Sequence, residues 1–121
     1  MCGVLGLGAD LTTWSTAERD TARQLIHLYK DIRTVVFDGS VRRHGHPRSH
    51  GYAVEFQGPE DDPRTAVFVF GRPESADTVS LSLGASPGSS VSCHVGAARW
   101  IGNNLSVTMD HSVGTAILTL G

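Results

Sequence analysis

The stretch STAERDTARQLIHLYKDIRTVVFDGSVRR, from Ser15 to Arg43, decides how the rest of the chain is read. Ser15 and Glu18 have the spacing of a capping box, in which the serine oxygen takes the N–H three residues on and the glutamate reaches back. Glu18 and Asp20 also suit the positive end of a helix dipole. Ala22, Leu25, Ile26, Tyr29, Ile32 and Val36 recur at three- and four-residue steps, which draws one apolar stripe, and Leu28 and Val35 widen it. The spacing predicts a helix from Ser15 to about Val36, buried on more than one side. About twenty residues of helix span about 30 Å, more than a small sheet domain covers. Gly39 marks its end.

Before the helix lies a short leader in which Gly3, Gly6 and Gly8 alternate with apolar residues. The glycines do not follow the order of a dinucleotide loop, and the strand–turn–helix context that cradles phosphate is missing. One buried strand from Val4 to Leu7 is expected instead. Such a strand needs neighbours that nothing ahead of it supplies, so the chain reads as cut from something larger.

After the helix the period switches to two. Tyr52–Phe56, Thr65–Phe70, Thr78–Leu83, Val91–Val95, Leu105–Met109 and Thr115–Leu120 are β-branched, aromatic or alternating runs. Gly58-Pro59, Asp62-Pro63, Gly71-Arg72-Pro73, Pro87-Gly88 and Gly102-Asn103-Asn104 break them. Six or seven short strands without an intervening helix predict an antiparallel sandwich or open barrel. The acidic turn from Pro59 to Pro63 reads as a solvated hairpin tip. The fold class is therefore mainly β with one long N-terminal helix, divided into residues 1–39 and residues 40–121.

Bulk properties narrow the function classes. The 121 residues suit one small domain or a domain with a fragment of another, and 40% hydrophobic against 18% charged residues is globular. Ten basic against twelve acidic residues leave a formal charge of −2, which gives no electrostatic case for nucleic acid or an anionic membrane. No apolar run approaches the roughly 20 residues that span a bilayer. No secretory signal is visible, Cys2 and Cys93 read as reduced thiols, and the expected location is cytoplasmic. The sequon at Asn104-Leu105-Ser106 then has no use.

Candidate chemistry is sparse. Arg42-Arg43-His44-Gly45-His46-Pro47-Arg48-Ser49-His50 gathers three histidines that a folded loop could turn on a metal, and arginines that could hold an anion. The histidine spacing matches no zinc signature and the arginines repel a cation, so a solvated loop with no metal is expected. Cys93 and His94 are neighbours on a strand, with side chains on opposite faces, which rules out a nucleophile–base pair; a core thiol is the reading of Cys93. Asp110-His111 lacks a serine or cysteine elbow. Trp14 and Trp100 suit core packing or, less simply, a sugar ring. Lys30 and Arg33 read as partners of the helix dipole or of surface carboxylates. Two facing carboxylates, as glycoside hydrolysis needs, are not evident, and neither a catalytic residue nor a cofactor is assigned.

Gly6-Leu7-Gly8-Ala9-Asp10-Leu11, Thr16-Ala17-Glu18-Arg19, Leu28-Tyr29-Lys30-Asp31-Ile32-Arg33 and Gly39-Ser40-Val41-Arg42 together resemble the C-terminal portion of glycoside hydrolase family 36 α-galactosidases. In that family a Gly-x-x-Asp-Leu-like run ends the last strand of a TIM barrel. A helix carrying Tyr-Lys-x-x-Arg follows, and then an antiparallel β-sandwich. The motifs cover residues 3–42; the rest matches by pattern. The resemblance implies that residues 1–39 are the last strand and helix of a (β/α)8 barrel. It implies a parent activity on terminal α-galactosides, with Asp10, Tyr29, Lys30 and Arg33 as barrel-closing and interdomain groups. The family's nucleophile and acid/base aspartates belong to earlier barrel strands, so no catalytic residue carries over. Val4 departs from the pattern, standing where relatives commonly have histidine. The chain is accordingly expected to be inactive alone, with a separately encoded barrel or self-association through the helix face as its partner. The alternative is a free-standing carbohydrate-binding module with a galactoside ligand.

Overall fold

The computed structural model describes residues 10–48, 51–71, 78–110 and 114–121. The expected strand from Val4 to Leu7 lies outside them. The long helix α1 runs Thr16–Asp38 with Ser15 as its N-cap. The capping box is complete: Glu18 N–H donates to Ser15 Oγ at 3.2 Å, and Ser15 N–H donates to Glu18 Oε2 at 2.7 Å. At the other end Gly39 is needed for space. Its backbone is extended, and a β-carbon there would overlap the carbonyl oxygens of Gln57 and Val35.

Eight strands follow among the described residues: β1 Ser40–His44, β2 Tyr52–Gln57, β3 Thr65–Phe70, β4 Thr78–Leu81, β5 Val91–Val95, β6 Ala97–Ile101, β7 Asn104–Thr108 and β8 Thr115–Leu120. They form two antiparallel sheets, a five-stranded one in the order β1-β2-β3-β8-β5 and a three-stranded one in the order β4-β7-β6. The chain changes sheets between β5 and β6 at Gly96, where φ is +80° and a β-carbon would meet Thr108 O and Ala116. Two strands were not expected. The Arg42–His50 stretch, expected as a solvated loop, supplies β1, paired from Ser40↔Gln57 to His44↔Ala53. β6 completes a hairpin with β7 across Gly102-Asn103.

Two cores result. One lies between the sheets and joins Ala53, Val67, Val69, Ala116, Leu118 and Leu120 to Leu81, Leu105 and Val107 of the smaller sheet. The second lies on the other face of the large sheet, where Leu28, Ile32, Val35 and Val36 of α1 meet Phe56, Ala66, Phe68 and Ile117. Side chains of a strand alternate between its faces, so β3 sends Val67 and Val69 to one core and Ala66 and Phe68 to the other. A strand covered on both faces reads as an unbroken apolar run, which accounts for Thr65-Ala66-Val67-Phe68-Val69. Phe56 and Phe68 meet edge to face beneath the helix, 5.8 Å between centroids.

Only half of α1 is seated. Its buried residues are Leu28, Ile32, Val35 and Val36, and none of residues 16–27 is buried. The expectation of a helix buried on more than one side is not met among the described residues, because the sheet covers one side of one half. No helix among them is long and apolar enough to cross a membrane.

Candidate functional site

The residues that hold α1 to the large sheet form the most organised polar arrangement among the described residues. Arg64, at the start of β3, reaches the middle of the helix. Its Nη1 donates to Asp31 Oδ2 and its Nη2 to the Asp31 carbonyl, both at 2.8 Å. The same guanidinium grips Asp62 through Nε to Oδ1 at 2.8 Å and Nη2 to Oδ2 at 2.9 Å. Two carboxylates thus share one planar fork, the geometry in which arginine binds most strongly. Hydrogen bonding to Arg64 holds the Asp62 carboxyl below the usual carboxylate range, and the two aspartates raise the arginine further. The Pro59–Pro63 turn is therefore more than a solvated tip: Glu60 and Asp61 are exposed, whereas Asp62 is drawn into the clamp.

A second polar node sits between the sheets. Glu55 is fully buried, the one carboxylate in that state among the described residues. Its Oε2 accepts from His44 Nε2 at 2.8 Å and its Oε1 accepts from the Gly84 N–H at 2.8 Å. A buried charge survives only when paired and hydrogen-bonded, and both oxygens are so committed. The node ties the edge strand β1 to the loop after β4. That loop is held at its far end by Trp100, whose Nε1–H donates to the Ser89 carbonyl at 2.8 Å. A cleft of about 430 Å³ opens between this loop and the β2–β3 turn, lined by Gln57, Thr65, Ser86 and Leu120 among others.

The residues singled out from sequence are thereby dispersed. His44 is spent on Glu55; His46 Nδ1 accepts from the Arg48 N–H at 3.1 Å; His50 lies outside the described residues. No cluster of histidine, cysteine and carboxylate groups among the described residues is placed to hold a metal. Cys93, expected as a core thiol, is exposed, because β5 is the outer strand of its sheet and leaves Cys93 uncovered there. His94 turns to Thr119, with Nε2 and Oγ1 3.0 Å apart. Asp110 bridges to Thr115, and His111 lies outside the described residues. Trp100 packs on the core between the sheets, with its indole N–H used. Tyr52 and Phe70, from the two aromatic strand runs, stack at the open end of the helix-bearing face, 6.0 Å between centroids, with Phe70 44% exposed.

Of the positions quoted for the family resemblance, residues 6–9 lie outside the described residues, Ser40, Val41 and Arg42 are on β1, and the others fall on the helix and its approach. Asp10 caps the 3-10 turn Leu11–Thr13, accepting from Thr12 Oγ1 at 2.6 Å and Thr12 N–H at 3.0 Å, and these bonds lower its pKa. Asp31 is in the clamp. Tyr29 is half-buried, while Lys30 and Arg33 are exposed. Compared with protein-family models, curated proteins and solved structures, the chain finds no match. Fold and site together define a class only: an antiparallel β protein of two sheets carrying one half-seated helix.

Proposed function

We propose that the chain is the C-terminal, non-catalytic part of an α-galactosidase-like glycoside hydrolase. Residues 1–39 close a (β/α)8 barrel, and residues 40–121 are the β-sandwich that follows it. The parent reaction is hydrolysis of terminal α-galactosides, carried out in the cytoplasm, where the unpaired thiol of Cys93 stays reduced. The chain alone is inactive, since a glycosidase needs two opposed carboxylates and the one buried carboxylate described is consumed by His44 and Gly84.

The observation that carries this reading is the half-seated helix. With 100° per residue, Ala22, Ile26, Tyr29, Arg33 and Phe37 fall along a line about 100° round the helix from Ile32. That line is uncovered: Phe37 is 52% exposed, Arg33 is exposed, and none of the five is fully buried. Tyr29 and Arg33, two of the positions shared with the family's final barrel helix, both lie on it. A helix with one side on the sandwich and another left open is the form a joint between two bodies takes.

The test is complementation. A family 36 α-galactosidase truncated before its final helix and sandwich should regain turnover of nitrophenyl α-galactoside when mixed with this chain, while the chain alone should show none. Turnover by the chain alone, or no recovery together with failure to bind a hydrophobic dye, would overturn the reading. A second reading, a sugar-binding module, has the Tyr52–Phe70 pair in its favour. Galactose titration decides it, through loss of any response in Phe70→Ala.

A further inference from the structure

The uncovered flank of α1 is selective in charge as well as apolar. The 3-10 turn Leu11–Thr13 folds against the first turns of the helix, and Arg19 Nε donates to the Leu11 carbonyl at 3.3 Å. Between turn and helix runs an open groove of about 540 Å³ floored by Leu11, Trp14, Ala22 and Ile26. Its polar rim is Thr12, Arg19, Arg23, His27 and Lys30, with no aspartate or glutamate among the described residues. By the same 100° steps Arg33 stands on the apolar line beside that rim, whereas Asp20, Asp31 and Asp38 gather on the opposite flank and Glu18 falls on the other side of the line. Three of the four acids of α1 are occupied: Glu18 by the Ser15 N–H at 2.7 Å, Asp20 by Arg23 at 3.1 Å and Asp31 by Arg64. Arg19, Arg23 and Lys30 thus edge the groove beside the apolar line, with Arg23 shared with Asp20.

We infer that this flank docks a helix of a partner protein whose apolar seam is edged with carboxylates. The inference rests on the reading above, in which the partner is the body of the barrel. Ala22, Ile26, Tyr29, Arg33 and Phe37 form a ridge of i, i+4, i+7, i+11 and i+15 positions about 22 Å long, the surface into which another helix packs ridge to groove. Cations beside the ridge select carboxylates opposite and reject like charge. That rejection disfavours a second copy of this chain, since a two-fold contact through the same flank sets the arginines of one molecule against those of the other. A membrane surface is disfavoured because Arg33 stands in the ridge itself, where an interfacial helix needs an unbroken apolar face.

The probe is a pair of helical peptides of about 21 residues with the same leucine and isoleucine seam, one flanked by glutamates and its twin by lysines. Each is titrated into the full chain by calorimetry at low and high salt. The glutamate peptide should bind, and its twin at least tenfold more weakly, with the gap closing as salt screens the rim. Ile26→Glu and Arg19→Glu should each weaken the glutamate peptide at least tenfold while leaving the thermal midpoint in place, since both positions lie off the sheet. Equal binding of the two peptides, no binding of either, or binding unaffected by Ile26→Glu overturns the inference. So does an Ile26-dependent dimer, or Ile26-dependent capture by phosphatidylserine vesicles without peptide binding. Failure here with successful complementation would leave the proposed function standing and move the docking face elsewhere; peptide binding without complementation would do the reverse.

Discussion

The two halves of α1 carry one apolar stripe, leaner before Leu28 (Ala17, Ala22, Leu25, Ile26) than from it onward, and meet opposite fates. From Leu28 onward the helix is seated: Leu28, Ile32, Val35 and Val36 are buried against Phe56, Ala66, Phe68 and Ile117, and Arg64 fastens the seat from the side. Before Leu28 the helix overhangs, and Ala22, Leu25 and Ile26 reach only partial burial. Helix propensity and the capping box act at the overhanging end, but helices in proteins take most of their stability from tertiary packing. The difference therefore lies in what each half touches. An apolar stripe states that a face is to be covered; it does not state by what.

The largest test of this contrast is a pair of truncations. Ile32→Ala removes a side chain 1% exposed and leaves a cavity under the helix, so it should cost about 2–5 kcal/mol of unfolding free energy. Ile26→Ala, one and a half turns up the same helix, should change stability by no more than about 0.5 kcal/mol, as surface positions do. Denaturant melts of the two variants measure both. A cost at Ile26 comparable to that at Ile32 would mean that the overhang is already covered, and the joint would lose its support.

The clamp is the next smaller effect. Arg64→Met keeps an apolar stem and removes both carboxylate contacts. The Arg64 side chain is 34% exposed, so solvent discounts the loss to about 1 kcal/mol. The loss should fall on the seated half, seen as faster amide exchange around Asp31 and unchanged exchange before Thr21. Uniform change along the helix would refute a local clamp.

These contrasts also mark where sequence patterns carry information. The helix, its cap at Ser15 and Glu18, and six strands follow from periods of 3.6 and 2 with glycine and proline breaks, all local signals. β1 was illegible because Ser40-Val41-Arg42-Arg43-His44 lies at a sheet edge: four of its five residues are exposed and charge guards the free side, so no alternation is imposed. β6 hides for a related reason. Only Ala98 and Trp100 turn inward, and a five-residue strand with two alanines lacks β-branched weight. The Glu55 node joins residues 11 and 29 positions apart, a pairing that only topology creates. Residue type alone makes Cys93 a core thiol, yet an outer strand leaves it open.

The smallest effect is in acid, where the clamp and the approach to the helix contribute separately and with the same sign. Asp62 in the clamp and Asp10 at the approach both have folded pKa values below their ordinary ones. A depressed carboxylate contributes stability that is present above its unfolded value, about 3.9, and lost as pH falls through its lower folded value. Arg64 keeps its proton throughout this range, so only the carboxylates titrate. The wild-type chain should therefore lose stability below about pH 4, with contributions from the approach to α1 and from the clamp on its seated half. Arg64→Met removes the first cause of the Asp62 shift, so its deficit against wild type should shrink as pH falls through that window. Asp10→Asn removes the other contribution without touching the seat, and its deficit should shrink in the same window independently. Thermal melts from pH 7 to pH 2.5 on the two variants and their double mutant test this. Additive behaviour fits an approach and a clamp that do not share a carboxylate network, and strong coupling between Asp10 and Arg64 would mean that the overhang and the seat respond as one body.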